Sequence, residues 1–181
     1  KNSANEFKNL RCIVVTGLLI AVSMALETFT IEIPYAKVNF AFLAIAIIGM
    51  FFGPTVGLAA GFLCDIVGYI ARPSGGFLFV YVLIAMLQGL IYGIVLYKKT
   101  GVKLLPFAVI ARLLDVIIIN LCLNTIANMH YGFIPKAALG EAISIRIIKN
   151  AVELFADIPL LFVILPAVLL AYTRIFRPKA I

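Results

Sequence analysis

The stretch IRIIKNAVELFADIP, from Ile145 to Pro159, carries Arg146, Lys149, Asn150, Glu153 and Asp157 directly before the apolar run LLFVILPAVLLAY. Cations and an amide can hold an anionic or carbonyl-rich ligand, and carboxylates can accept hydrogen bonds or relay protons. Arg146, Asn150, Glu153 and Asp157 follow steps of four, three and four, which keeps them on one face of a helix. Lys149 and Glu153 are four apart and can pair. Charged groups are costly in lipid and usually face a bundle interior or a water-filled cavity. Two readings therefore stand: a polar stripe lining a cavity, or internal salt bridges that only fix helix packing. Elsewhere Asp65, Asn120, Asn124 and Thr125 bring a carboxylate, two amides and a hydroxyl to a similar height. Asp65 in an apolar span needs a donor, from a neighbouring cation or from a ligand. Arg112 and Asp115, three apart, read as a pair within their helix.

These residues need elements to hold them, and composition names the class. Of 181 residues 64% are hydrophobic and 13% charged, with a mean hydropathy of +1.15. That balance predicts an all-α integral membrane protein, a single domain over 1–181, since lipid offers no partner to open backbone groups. The length suits about six spans of roughly 20 residues. They are placed at Leu10–Phe29, Asn39–Phe52, Pro54–Ala71, Phe77–Tyr97, Leu105–Asn128 and Lys136–Arg174. TIEIPYAKV, RPSGG, KKTGVK and MHYGFIP are the polar or turn-rich breaks, and Gly53-Pro54 is a tight turn. Lys1 to Arg11 before an apolar run resembles a signal peptide, but the apolar runs that follow favour a first span.

With the first segment inside, Lys1, Lys8, Arg11, Lys98, Lys99, Lys103, Arg174, Arg177 and Lys179 fall on one side, against Lys37, Arg72 and Lys136 on the other. The net charge of +7 thus reads as topology, with both termini cytoplasmic, and not as nucleic-acid binding. Arg146 lies about 42 Å along its helix from Arg174, beyond the roughly 30 Å hydrocarbon core, so the stripe begins at the outer edge.

Tyr35, Phe77, Phe79 and Tyr81 follow or occupy the outer loops, as cover for a pocket mouth or as an interfacial belt. Gly17, Ala21 and Ala25 recur every four residues, a small face on which another subunit can dock. GMFFG, GLAAG and GLIYG repeat the pattern in later spans. Cys12, Cys64 and Cys122 lack metal-ligand spacing and read as packed thiols. The single histidine, His130, and the absence of HExxH, GxSxG or GxxxxGK[ST] leave no enzyme constellation, cofactor or metal site.

FGPTVGLAAGFLCDIVG at 52–68, PSGGFLFVY at 73–81, GLIYGIVLYKK at 89–99, NLCLNT at 120–125 and IRIIKN at 145–150 together resemble the S components of energy-coupling factor vitamin transporters, most closely the folate-specific type. The resemblance spans nearly the whole chain. Many members have a Trp soon after LNT, where this chain has Ile126 and Ala127. The resemblance implies a six-helix subunit of a bacterial plasma membrane that captures folate from outside. Its partners would be a membrane coupling subunit, docked on Gly17, Ala21 and Ala25, and two ATPase subunits. It implies Asp65, Asn120 and Asn124 as readers of the pterin, and Arg146, Lys149 and Asn150 as holders of the ligand's polar groups near the mouth. Tyr35, Phe77 and Tyr81 would supply aromatic walls, Glu153 would position Lys149, and Asp157 would be structural. A sibling S component for riboflavin, thiamine or biotin is the alternative within the family. Outside it stands an ion-coupled transporter using Glu153 and Asp157 as a relay.

Overall fold

Long apolar runs broken by turn residues fold here as helices, because a helix satisfies its own backbone groups whatever surrounds it. The structure, a computed structural model, describes residues 3–28, 31–33, 36–38, 40–71, 76–134 and 139–176. A short 3₁₀ turn at Ser3–Lys8 precedes α1 (Leu10–Thr28). The next segment, expected as a loop, contains a small antiparallel hairpin, β1 (Ile31–Ile33) and β2 (Ala36–Val38). Ile31 faces Val38 and Ile33 faces Ala36, a pairing that β-branched residues favour. Tyr35, Arg72 and Lys136 lie outside the described residues.

Helix α2 (Phe42–Phe52) starts three residues later than the sequence suggested. At about 16 Å it is much shorter than a roughly 30 Å hydrocarbon core. It is buried almost throughout, from Phe42 to Met50 and again at Phe52, and forms the centre of the core. Gly53 turns the chain with φ +85°, a region a side chain resists. Pro54 then opens α3 (Pro54–Ala71), where its missing N–H costs nothing.

Helix α4 (Phe79–Leu96) lies against α3 at backbone distance. A Cβ on Gly57 would strike the carbonyl of Gly89, and one on Gly61 the carbonyl of Ala85. Gly93 meets Pro54 in the same way, and Gly49 of α2 meets Gly93. The recurring small residues of these three helices are therefore their contact surface.

The fifth rod is continuous from Leu104 to His130, about 40 Å long. It comprises α5 (Leu104–Leu114), a π-helical stretch (Asp115–Leu123) and α6 (Asn124–His130). In the wide stretch the N–H of Asn124 reaches the carbonyl of Ile119, five residues back. Such stretches are rare and often sit at functional sites. Helix α7 (Leu139–Phe176) runs unbroken through Pro159 and Pro166.

Four of these helices, α1, α3, α4 and α7, are long and apolar enough to cross a membrane. Large apolar side chains such as Leu18, Ile94, Phe155 and Val163 are exposed on their outer faces, as a lipid environment requires. One end of the bundle is tightly tied. The Ser3 hydroxyl donates to the Phe52 carbonyl at 2.6 Å and accepts from the Thr55 hydroxyl at 2.6 Å. The ring of Phe51 stacks on Tyr172, with centroids 4.2 Å apart. Ser3, the α2–α3 turn, the α4–α5 link and the last turns of α7 thus gather at this closed end. The opposite end holds two adjoining cavities.

Candidate ligand-binding site

Two adjoining cavities open from that opposite end, and they differ in chemistry. The outer, about 760 Å³, is walled by aromatic side chains: Tyr69 on α3, Phe77 and Tyr81 from the approach to and first turn of α4, and Tyr131 and Phe133 after α6. Tyr69 and Phe77 meet edge to face at 5.1 Å, a stable aromatic geometry. The inner, about 270 Å³, is polar, with Ser23, Gln88, Arg112, Asn120, Lys149 and Glu153 on its walls. Glu27, Cys64 and Asp65 border both, so the two form one branched space.

Asp65 stands where the chambers meet. Its carboxylate has no hydrogen bond or ion pair among the described residues. A half-buried carboxylate without a protein donor carries a desolvation cost that a hydrogen-bond donor would relieve.

The opposite wall is a ladder of amides. The Tyr81 hydroxyl donates to Asn128 Oδ1 at 3.0 Å, and Asn128 Nδ2 donates to the Asn124 carbonyl at 2.6 Å. Asn124 Nδ2 donates to Asn120 Oδ1 at 3.4 Å, and Asn120 Nδ2 to Asn150 Oδ1 at 2.9 Å. Asn150 closes the chain on the Arg146 carbonyl at 2.7 Å, while Arg146 Nη1 donates to the Asn120 carbonyl at 3.2 Å. The ladder therefore runs from Asn128 on the outer cavity to Asn120 on the inner one. Steps of four align Asn120, Asn124 and Asn128 on one side of their rod.

Lys149 and Glu153 pair at 3.4 Å across the inner cavity wall, Glu153 being buried and Lys149 partly exposed. The floor is an ionic cluster. Arg112 Nε and Nη2 donate to Asp157 Oδ2 at 2.9 and 2.6 Å, and Nη1 donates to Asp115 Oδ2. Gln88 Nε2 and the Tyr92 hydroxyl also donate to that Asp115 oxygen, at 3.2 and 3.3 Å. The guanidinium rests over the Phe42 ring at 4.2 Å, a cation–π contact that helps hold a charge away from water. Oδ1 of each aspartate is buried and has no hydrogen-bond partner among the described residues.

Several expected residues meet in this space. Asp65, Asn120, Lys149, Phe77 and Tyr81 are wall residues. Arg146, Asn150 and Asn124 touch neither cavity wall and instead hold Asn120 in place. Asp157 belongs to the ionic floor, and Thr125 is buried with no partner for its hydroxyl among the described residues. Sequence reasoning missed Glu27, Gln88 and Asn128. Asn128 continues the four-residue steps of Asn120 and Asn124 and was open to detection by spacing alone. Gly17, Ala21 and Ala25 are exposed on α1, away from both cavities.

A family of membrane transport subunits fits this arrangement of a tied bundle around a polar, aromatic-mouthed chamber. The model of the family described as ECF-type riboflavin transporter, S component, matches residues 7–173. The chain belongs to that family: it is a membrane-embedded S component, a transport subunit and not an enzyme, and it works as part of an ECF transporter. Among its relatives is the folate transporter FolT of Clostridium novyi (strain NT), 29% identical over 123 residues, covering 66% of this chain and 69% of that protein. FolT of Leuconostoc mesenteroides subsp. mesenteroides is 26% identical over 144 residues, 78% of this chain and 77% of that protein. A crystal structure of FolT bound with folic acid superposes with a TM-score of 0.72 at 27% identity, covering 85% of this chain and 92% of that one.

Proposed function

We infer that this chain captures folate from outside a bacterial cell and presents it for ATP-driven uptake by an ECF transporter in the plasma membrane. The observation that carries the reading is the Asp65 carboxylate, unpaired among the described residues, facing an asparagine ladder beneath an aromatic mouth. Pterin offers an amino-pyrimidinone edge from which a carboxylate accepts paired hydrogen bonds. Asp65 supplies that acceptor, and Asn120, held by Asn124 and Asn150, completes the set. The p-aminobenzoyl ring packs between Phe77 and Tyr81, with Tyr35 as a further wall. Lys149, poised by Glu153, holds the ligand's anionic or carbonyl groups, while Arg146 acts on the site through the Asn120 carbonyl. The relatives named for folate and the folic acid complex support the same ligand.

In this reading the chain crosses the membrane six times, with both termini and the closed end in the cytoplasm. The short α2 completes its crossing with the residues that lead into it, and its burial spares it contact with lipid. Gly17, Ala21 and Ala25 leave an exposed, unpartnered face on α1, with open space beside Gly17. That face receives a membrane coupling subunit, which carries two ATPase subunits.

The test is a titration of the purified protein in detergent with folic acid, riboflavin, thiamine and biotin. Saturable binding of folic acid alone is expected. Riboflavin is the second reading, because the matching family model is described by that vitamin. Binding of riboflavin in place of folic acid would keep the architecture and overturn the pterin chemistry.

A further inference from the structure

A third cavity lies far from the ligand chambers, at the closed end. It is a groove of about 530 Å³ between the α4–α5 link and the last turns of α7. Val102, Leu104 and Leu105 form one bank, and Pro166, Leu169 and Leu170 the other. Only two threonines, Thr100 and Thr173, interrupt the apolar lining. Val102 is 88% exposed, so the groove is open at its rim.

Its charge surroundings point one way. Lys103 adjoins Val102 and Leu104, and Arg174 adjoins Thr173; both are exposed, and neither has an ion pair among the described residues. Lys98 and Lys99 stand a few residues upstream, Lys99 over the Phe107 ring at 4.0 Å. Of the eight acidic residues in the chain, Glu6 alone belongs to the segments gathered at this end. An apolar channel whose two banks are each followed or interrupted by an exposed cation, Lys103 on one and Arg174 on the other, has the chemistry of a lipid tail below a phosphate. Cations at a membrane surface attract anionic headgroups by about 1 kcal/mol each. The groove is built on α5 and α7, whereas the small-residue face of α1 belongs to a helix packed on α2 and α3. A subunit docked on α1 leaves the groove facing lipid.

We propose that this groove binds one acyl chain of an anionic phospholipid, with its phosphate held by Lys103 and Arg174. The site anchors the α4–α5 link and the end of α7 at a fixed depth in the bilayer.

The experiment is native mass spectrometry of the detergent-purified protein with phosphatidylglycerol or phosphatidylcholine of identical chains. The wild type should retain phosphatidylglycerol about tenfold better. The Lys103→Ala/Arg174→Ala variant should lose that preference. Leu169→Trp, which fills the groove, should lower retention of both lipids, with unchanged folate binding reporting a folded protein. Equal retention by the wild type, or a preference that survives loss of both cations, would overturn the proposal. So would burial of Val102→Cys against an aqueous maleimide on assembly with the coupling subunit, since a protein would then cover the groove. If Leu169→Trp fails to fold, the charge variant decides alone.

Discussion

Helices α3 and α4 meet in two quite different ways along their length. Toward the closed end they touch backbone to backbone, through Gly57 and Gly89, Gly61 and Ala85, and Gly93 and Pro54. Toward the other end the same pair borders the outer cavity with Asp65, Tyr69 and Tyr81. The change comes within a turn or two, between Gly61 and Asp65. Close packing without side chains gains dispersion and leaves no room for water. Where the cavity opens, side chains replace that contact, and the Asp65 carboxylate has no protein partner among the described residues. The pair thus serves as a clamp at one end and as a wall at the other, and the clamp lets the wall keep an unpaired carboxylate.

The largest effect should come from the ionic floor that separates the two regions. Among the described residues Arg112 is the one cation paired with Asp115 and Asp157, both nearly inaccessible. Arg112→Ala strands two buried carboxylates and should cost about 3–5 kcal/mol of stability. Thermal unfolding in detergent checks it. Asp115→Asn should cost much less, because the Arg112–Asp157 pair survives. If both variants unfold alike, the cluster is not a two-for-one arrangement.

Next comes the clamp. Gly57→Ala drives a methyl into the Gly89 carbonyl, where no side chain can move aside. An overpacking cost of about 1–3 kcal/mol is expected. Gly17→Ala is the matched control, since nothing lies within 4 Å of the added Cβ. Equal melting temperatures for the two variants would mean that the glycine contacts are looser than drawn.

The wall should respond chiefly in binding. Asp65→Asn and Lys149→Ala should each weaken folate binding at least tenfold, about 1.4 kcal/mol, in a titration of the folded variants. Asp65→Asn should melt close to wild type, since Asp65 has no protein partner to lose among the described residues, whereas Lys149→Ala also leaves the buried Glu153 without its cation and should lower the melting temperature somewhat. Unchanged affinity in both would remove them from the site.

What the sequence revealed follows the range of the interaction. Pairs within one helix were readable from spacing: Lys149 with Glu153 at four residues, and Arg112 with Asp115 at three. The second partner of Arg112, Asp157, is 45 residues away, and no local pattern announces it. Glu27 and Gln88 reach the cavities from α1 and α4 by the same kind of long-range placement. The π-helical stretch is a tertiary outcome, since DVIIINLCL reads as ordinary apolar helix. The hairpin after α1 was hidden because a three-residue strand is too short to show alternation. Long apolar runs do fix where α1, α3 and α4 begin and end to within a few residues, whereas α2 is shorter than its run because Phe40 and Ala41 ahead of it are not helical.

The smallest effect on the isolated protein should come from the face that the fold leaves bare. Ala21 and Ala25 are exposed on α1, in line with Gly17, so their replacement disturbs little of the packing among the described residues. Ala21→Trp and Ala25→Trp should leave melting temperature and folate affinity unchanged in detergent. In cells that also make the coupling and ATPase subunits, both should abolish uptake, because an indole fills the close approach that small residues allow. This pairing of results separates a docking face from a structural one. A structural face would lose stability in detergent, and a lipid-facing surface would lose nothing in either assay. Normal uptake by both variants would move the docking surface elsewhere, while leaving the contrast between clamp and wall as it stands.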